Sequence, residues 1–282
     1  MSLCVGREVN PFQPPINLLL DYLLQEFKKE EGRSYSSMNT IRSAISSIAR
    51  IDDVPAGAHP LVTRFMRAVF QKRPSLPRYQ TTWDPDLVLN YIKSLGLNED
   101  LSLIMLTKKL TMLMLLVSGQ RSQVVHLLDV RNMVISDSRV SFQIGDPIKT
   151  SRPGSHMSQL SFAAYAPDKL LCVHTTILHY LHRTKDIRGP ITRLFLTTKP
   201  PIKVASRDTL RRWTKEIMGA AGINLSLFSP HSTRAASSSK AALRLPLTTI
   251  LTTVGWSRDS TFARFYNKPI AASGQFALAV LS

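Results

Sequence analysis

The residues that most restrict how this chain can fold are 101–117, its longest nearly apolar stretch. Lys108 and Lys109 interrupt the stretch near its middle, and charged side chains are costly inside a bilayer, so it is not expected to cross a membrane. Its composition favours a helix that is buried on most of its surface. A chain of 282 residues is long enough to build a core around such a helix and to form two domains.

The chain is strongly basic, with 36 Lys+Arg against 19 Asp+Glu and a formal net charge of +17. An excess of this size attracts polyanions, so nucleic acid is the expected partner. A basic surface that serves only solubility is the alternative. Cys4 and Cys172 are too few for a disulfide framework, which is typical of a protein from a reducing compartment.

The first part of the chain is predicted to be entirely helical over residues 14–72. Apolar positions at helical spacing indicate helices at 16–27 and 61–71. Between them, cap residues at 36–40 are expected to precede a helix that continues through Ile48. Residues 73–82 contain prolines and several basic groups and are interpreted as a linker. The predicted domains are therefore 1–80, a helical domain with its linker, and 81–282.

The second part combines helices with a small sheet. Pro85 suits the first turn of a helix, and the buried helix at 101–117 follows. Residues 133–135, 140–144 and 159–162 are rich in strand-forming side chains, and helices are expected again from 167 to the end. The fold class predicted from this order is mainly α with a small β-sheet (α+β).

The second part also holds the side chains needed to attack a phosphodiester without a metal ion. These side chains are Arg121, Lys149, His231, Arg234, Trp256 and Tyr266. An arginine fork pairs with two non-bridging phosphate oxygens at once, which suits Arg121 and Arg234. His231 stands three residues before Arg234, a spacing that places two side chains on one face of a helix.

Tyr266 is the candidate nucleophile, since a tyrosine can store the bond energy in a covalent phosphotyrosyl link. Lys149 lies in a Gly- and Pro-containing connection and is the candidate acid for the leaving 5′ oxygen, with Arg152 as a nearby alternative. Each residue also has a plain structural interpretation. A single arginine commonly forms a surface ion pair, and Tyr266 shares a helical spacing with Phe262 that is typical of a core position.

A metal site is the competing hypothesis for Cys172, His174, His179 and His182. His179 and His182 are three residues apart and could share one face of a helix. No second Cys/His pair or nearby carboxylate completes a ligand pattern, so an amphipathic helix with surface histidines is preferred and no metal or cofactor is expected.

Taken in order, the candidate residues resemble the tyrosine recombinase (phage integrase) family. The order is Arg121, Lys149, His231-x-x-Arg234, Gly255-Trp256 and then Tyr266. The phrases Lys-Thr-Ser-Arg-Pro-Gly at 149–154 and Phe-Tyr-Asn-Lys-Pro at 265–269 are most similar to the recombinases of DIRS-type retrotransposons. The resemblance implies a helical core-binding domain that clamps duplex DNA, followed by a mixed α+β catalytic domain.

The resemblance also implies an activity and a role for each residue. Tyr266 would cut DNA and leave a 3′-phosphotyrosine and a free 5′-hydroxyl, giving site-specific recombination or integration of a mobile element. Arg121 and Arg234 would bind the scissile phosphate, Lys149 would be the acid, and His231 would assist. Trp256 would take a position held by histidine or tryptophan. A nuclear location follows from the resemblance to a retroelement enzyme.

Two positions depart from the family pattern. Val124 stands three residues after Arg121, where an acidic residue is usual, and the interval from Trp256 to Tyr266 is one residue longer than is common. A catalytically inactive DNA-binding module of the same fold therefore remains an alternative, as does a type IB topoisomerase-like relaxing enzyme. For the apolar segment 270–281, the resemblance implies docking on a neighbouring copy in a homo-oligomer on DNA, a dimer to tetramer, with packing on its own chain as the alternative.

Overall fold

The computed structural model describes residues 9–29, 32–74, 80–149, 151, 153–154, 159–256 and 259–270. The chain divides into two compact units, Met1–Arg78 and Tyr79–Ser282. The apolar C-terminal segment from residue 271 onward lies outside the described residues, as do Thr150 and Arg152 of the connection that carries Lys149. All the site residues proposed from the sequence belong to the second unit.

The described part of the first unit has the α-helices α1 (Ile16–Lys28), α2 (Tyr35–Ser46) and α3 (Pro60–Lys72). They pack around a core that includes Leu23, Met38 and Val62. The expected start of α2 was too late by several residues, because the capping side chain is Ser34, whose Oγ accepts a hydrogen bond from the Ser37 amide at 3.2 Å.

The prediction that residues 14–72 are entirely helical was wrong at one place. A short antiparallel hairpin joins β1 (Arg50–Ile51) to β2 (Val54–Pro55). Asp52 and Asp53 form its two-residue turn with positive φ values of 47° and 58°. Aspartate tolerates this left-handed conformation better than most residues, and the two-residue turn matches the twist of the strands. The local turn therefore overrides the helical pattern.

The second unit is built around a helix that is buried on nearly all sides. It contains α4 (Pro85–Ser94), α5 (Leu103–Ser118), α6 (Ser122–His126), α7 (Val173–Thr184), α8 (Arg207–Ala220), α9 (Thr233–Ala242), α10 (Leu247–Val254) and α11 (Asp259–Phe265). Helix α5 confirms the expected buried helix and packs against α7, α8 and α9. Lys109 lies fully inside the core, where its Nζ donates a hydrogen bond to the carbonyl of Gly96 at 3.2 Å.

The three expected strands form one antiparallel sheet in the order β3 (Met133–Ser136), β4 (Arg139–Gln143) and β5 (Gln159–Ala163). Phe142 of β4 and Phe162 of β5 are buried and contact each other edge to face, with ring centroids 6.3 Å apart. The connection between β4 and β5 carries Lys149. The predicted class, mainly α with a small β-sheet, is confirmed.

The expectation of helices from 167 to the end was wrong between α7 and α8. Residues 185–206 run mostly without regular structure, and two isolated bridges, Asp129 to Arg193 and Leu196 to Val204, tie them to the rest of the unit or to each other. Pro190, Pro200 and Pro201 explain the difference, because proline removes a backbone donor and ends a helix. No helix of the described residues is long and apolar enough to cross a membrane.

Candidate active site

The first half of the site is set by the end of α5. Gly119 adopts a left-handed conformation, with φ at 59°, and its amide donates to the carbonyl of Leu115 at 3.0 Å. This cap turns the chain sharply away from the buried helix. Arg121 follows two residues later at the start of α6 and lies half-buried at the wall of a cleft.

The second half comes from the start of α9. A single turn at Pro230–Ser232 places His231, and Arg234 follows in the first turn of the helix. Arg234 is only 2% exposed. Its two terminal nitrogens donate to backbone carbonyls, Nη1 to Gly119 at 2.9 Å and Nη2 to Val254 at 3.2 Å. These bonds use two of the five guanidinium N–H groups and lock the orientation of the fork.

One cleft of about 380 Å³ collects most of the residues proposed from the sequence. Its described lining contains six basic side chains, which are Arg121, Lys149, Arg207, Arg211, His231 and Arg234. No Asp or Glu is found among these described lining residues. Lys149 reaches the cleft from the β4–β5 connection and is exposed. The cleft therefore has the size and charge to receive an anionic group such as a phosphate diester.

The cleft is rich in positive charge, which lowers the pKa values of two of its residues. Desolvation lowers the pKa of His231, and the nearby charges of Arg121, Arg234 and Lys149 lower it further, although the residue keeps solvent access. Burial and the charge of Arg121 lower the pKa of Arg234 to about 10, opposed by its interaction with the Tyr266 phenol. A bound phosphate would relieve this repulsion between cations.

Trp256 and Tyr266 stack beside Arg234. Gly255 caps the end of helix α10, and its φ of 74° turns the chain so that Trp256 lies buried against that end of the helix. The rings of Trp256 and Tyr266 are 4.6 Å apart at an angle of 32°. The Cζ atom of Arg234 lies 4.6 Å from the Trp256 ring centroid and 5.5 Å from that of Tyr266. Tyr266 is half-buried and adjoins the cleft through Arg234 without lining it.

Two buried donors in this group have no hydrogen-bond partner within the described part of the chain. They are Nε of Arg234 and Nε1 of Trp256. An unsatisfied buried donor is costly, and such groups at a site point to a ligand that completes them. The oxygens of a phosphate are acceptors of the required kind.

The position that lacks the acidic residue of the family pattern does not face the cleft. Val124 is 3% exposed and packs into the core of the second unit, so it does not reach the cleft. Arg234 is held by the carbonyls of Gly119 and Val254. The Gln120 side chain also contacts the end of α10, since its Nε2 donates to the carbonyls of Thr253 and Val254 at 3.1 and 3.2 Å.

Three residues of the site were not singled out by the sequence. Gln120 supports the Arg234 pocket, and Arg207 and Arg211 line the cleft from one face of α8. The available signal was the pair of arginines four residues apart on an amphipathic helix. That pattern occurs on many solvated helices, so only the packing of α8 against the cleft distinguishes it. The alternative acid Arg152 lies outside the described residues.

No family model and no curated protein matches this sequence. Several solved structures do match its fold. XerH site-specific recombinase bound to palindromic difH substrate is 13% identical with a TM-score of 0.57, over 94% of this chain and 70% of that chain. A lambda integrase(75-356) dimer bound to a COC′ core site is 15% identical with a TM-score of 0.55, over 92% of this chain and 81% of that chain.

The Tn1549 transposon integrase in complex with circular intermediate DNA is a third match. It is 12% identical with a TM-score of 0.58, and the alignment covers 100% of this chain and 90% of that chain. The resemblance to the tyrosine recombinases that the motifs indicated is thus confirmed in three dimensions, while the DIRS-type subclass stays a prediction. The chain has the fold of the tyrosine recombinases.

Proposed function

We propose that this protein cuts and rejoins DNA strands through a 3′-phosphotyrosine at Tyr266, giving site-specific recombination or integration of a mobile element. The observation that carries the proposal is the gathering of Arg121, Lys149, His231 and Arg234 on one cleft, with Tyr266 beside Arg234. These residues come from four separate stretches of sequence. A cluster of cations beside a phenol has no evident structural purpose, because the repulsion between the cations costs electrostatic energy.

The proposed reaction begins with binding of the scissile phosphate. Arg121 and Arg234 would pair with the non-bridging oxygens, and Nε1 of Trp256 would donate to one of them. These fixed donors stabilise the extra negative charge of the pentacoordinate transition state. The backbone carbonyls of Gly119 and Val254 already hold Arg234 in place, so this donor is preorganised for the transition state.

Two residues carry the protons of the proposed cleavage step. The Tyr266 oxygen attacks phosphorus while its proton passes to His231, whose lowered pKa leaves the imidazole neutral and able to accept it. The phosphorus–5′ oxygen bond breaks, and Lys149 donates the proton that the leaving oxygen needs. The products are a 3′-phosphotyrosine and a 5′-hydroxyl. Attack of a 5′-hydroxyl from a partner strand on this ester reverses the same steps and rejoins DNA.

The proposed partner is duplex DNA, bound by both units, with residues 1–80 as the DNA-clamping domain and 81–282 as the catalytic domain. A homo-oligomer of two to four copies on DNA is proposed as well. The net charge of +17 and the similarity to an integrase solved as a dimer on a core site support these two statements. A nuclear location is proposed from the resemblance to retroelement recombinases alone.

The decisive experiment detects the covalent intermediate. We expect the protein, incubated with a pool of short nicked duplexes of randomised sequence and a chelator, to form protein–DNA adducts that survive denaturing electrophoresis. Tyr266→Phe removes the nucleophilic oxygen and abolishes the adduct. Tyr165→Phe, which removes an exposed phenol outside the cleft, is the matched control and keeps it.

The outcomes separate the candidate functions. Adducts of equal yield in Tyr266→Phe would refute the assigned nucleophile. Salt-dependent binding of the pool without any adduct would identify an inactive DNA-binding module. Relaxation of supercoiled plasmid with no preferred sequence among the captured adducts would identify a topoisomerase-like enzyme.

A further inference from the structure

One buried serine holds the backbone that leaves Tyr266, from its carbonyl to the amide of Lys268. The Ser239 hydroxyl donates to the carbonyl of Tyr266 at 2.7 Å and accepts a hydrogen bond from the Lys268 amide at 3.0 Å. Ser239 is 4% exposed. Both capacities of the hydroxyl, as donor and as acceptor, are therefore used on the two residues that flank Asn267.

The same helix carries the main phosphate-binding candidate. Arg234 and Ser239 both belong to α9, five residues apart, which corresponds to about 7.5 Å along a helix axis. A helix of this kind is a stiff spacer. The position of the Tyr266 backbone is thus fixed relative to the guanidinium that would hold the phosphate.

A second set of contacts anchors the chain after the tyrosine. The amide of Thr82 donates to the carbonyl of Pro269 at 2.8 Å, and Thr82 and Ile270 form a parallel bridge. Next to it, the Trp83 indole donates to the Ser232 hydroxyl at 2.8 Å, in the turn that carries His231. The segment at 82–83 therefore contacts both the chain that follows Tyr266 and the turn that precedes Arg234.

The geometry points to Ser239 as a positioning residue that aligns Tyr266 for attack on the phosphate, an inference that rests on the proposed function. The neighbouring Ser238 shows what a structural serine on this helix does. Its hydroxyl is equally buried and donates at 2.6 Å to the carbonyl of Arg234, one turn back on its own helix. Ser239 instead reaches across to another segment, the one that bears the nucleophile.

The positioning role matters because attack requires close alignment. A misplacement of about 1 Å at a reacting group costs on the order of 100-fold in rate. The Tyr266 ring already has a stacking partner in Trp256, but stacking leaves the ring free to slide in its plane. The Ser239 hydrogen bonds restrict that sliding by fixing the backbone from which the ring projects.

The test compares Ser239→Ala with the matched control Ser238→Ala on the pool of randomised nicked duplexes. We expect the adduct-forming rate at saturating DNA to fall about 10- to 100-fold in Ser239→Ala, with DNA affinity unchanged. Ser238→Ala loses a hydroxyl of the same burial and keeps its rate. Ser239→Cys retains the shape with a weaker donor and should give an intermediate rate.

A measurement without DNA tests the contact itself. Hydrogen exchange at the Lys268 amide should accelerate in Ser239→Ala and stay slow in Ser238→Ala, because only the first loses the acceptor of that amide. Equal adduct rates in Ser239→Ala and Ser238→Ala would overturn the positioning role. A wild-type protein whose Lys268 amide is protected but which forms no adduct would instead overturn the proposed function.

Discussion

Arg234 shows how a single residue can be both structural and poised for chemistry. It is a nearly buried cation without a carboxylate partner among the described residues, and two backbone carbonyls and two aromatic rings take the carboxylate's place. Carbonyls orient the guanidinium without neutralising it. Its full charge therefore remains available for an anion in the cleft, whereas a carboxylate would have cancelled part of it.

At the residue scale too, the lowered pKa of His231 predicts that the stability of the fold depends on pH. Its pKa lies below its ordinary value of 6.5 in the folded protein, because of desolvation and the neighbouring cations. As the pH falls through about 6.5, the unfolded chain takes up a proton that the folded protein resists. His231 thus destabilises the fold below that pH and has no such effect above it.

The check is urea unfolding of wild type and His231→Gln at pH 8 and pH 5. We expect His231→Gln to lose less unfolding free energy than the wild type between these two pH values. Curves that run parallel over the whole range would contradict the electrostatic description of the cleft.

Among the elements, the end of α5 is central to the site because it positions both Arg121 and Arg234. The left-handed turn at Gly119 directs the chain to Arg121, while the Gly119 carbonyl accepts the hydrogen bond from Arg234. A Cβ atom on Gly119 would lie 2.9 Å from Cγ2 of Val254, whose own carbonyl is the other acceptor for Arg234. The two elements that hold the guanidinium are thus packed too closely for any side chain here.

Gly119→Ala is therefore expected to destabilise the protein by about 1–3 kcal/mol and to slow adduct formation, since it strains the backbone and pushes Val254 away. Gly222→Ala is the matched control. Gly222 has a positive φ of 82° but open space around its Cβ position. The control carries the conformational strain without the clash, so denaturant melts and adduct rates of the pair separate the two effects. An equal loss of adduct rate in both variants would exclude the Val254 contact as the cause.

For the whole molecule, the distribution of charge matters more than its total. The net charge of +17 would attract DNA to many surfaces, and the cleft gathers six basic side chains in its described lining. Arg207 and Arg211 extend this lining along α8. In the proposed complex they would bind phosphates that neighbour the scissile one and so position the DNA backbone before cleavage.

The cleft lining predicts that two adjacent arginines of α8 contribute differently to the salt dependence of DNA binding. Arg211→Gln should reduce the salt dependence of DNA binding by about one phosphate contact, a slope change of about 0.9 in log K against log salt. Arg212→Gln removes the same charge from the next residue, which is not in the cleft lining and lies near Glu216. Titration of a labelled duplex at several salt concentrations measures both slopes. Equal changes would show that only net charge matters.

The predictability of the site differed from residue to residue. His231 and Arg234 could be paired from their spacing, because side chains three residues apart lie on the same face of a helix. The relation between Arg121 and Arg234 could not, since they are 113 positions apart in the chain and come together only in the fold, where both line the cleft. Ser239 could not be distinguished from Ser238, because both are small polar residues in the same helix and differ only in what they face.

The sequence by itself determined the buried helix α5, the three strands and the order of the chemically competent residues. These depend on local periodicity, on capping and on residue type, which act over a few positions along the chain. Only the tertiary structure decided that the cations share one cleft, that the carbonyls of Gly119 and Val254 hold Arg234, and that α9 holds the segment of Tyr266. Such contacts join residues far apart in sequence, and close packing of the folded chain, which no local pattern specifies, selects them.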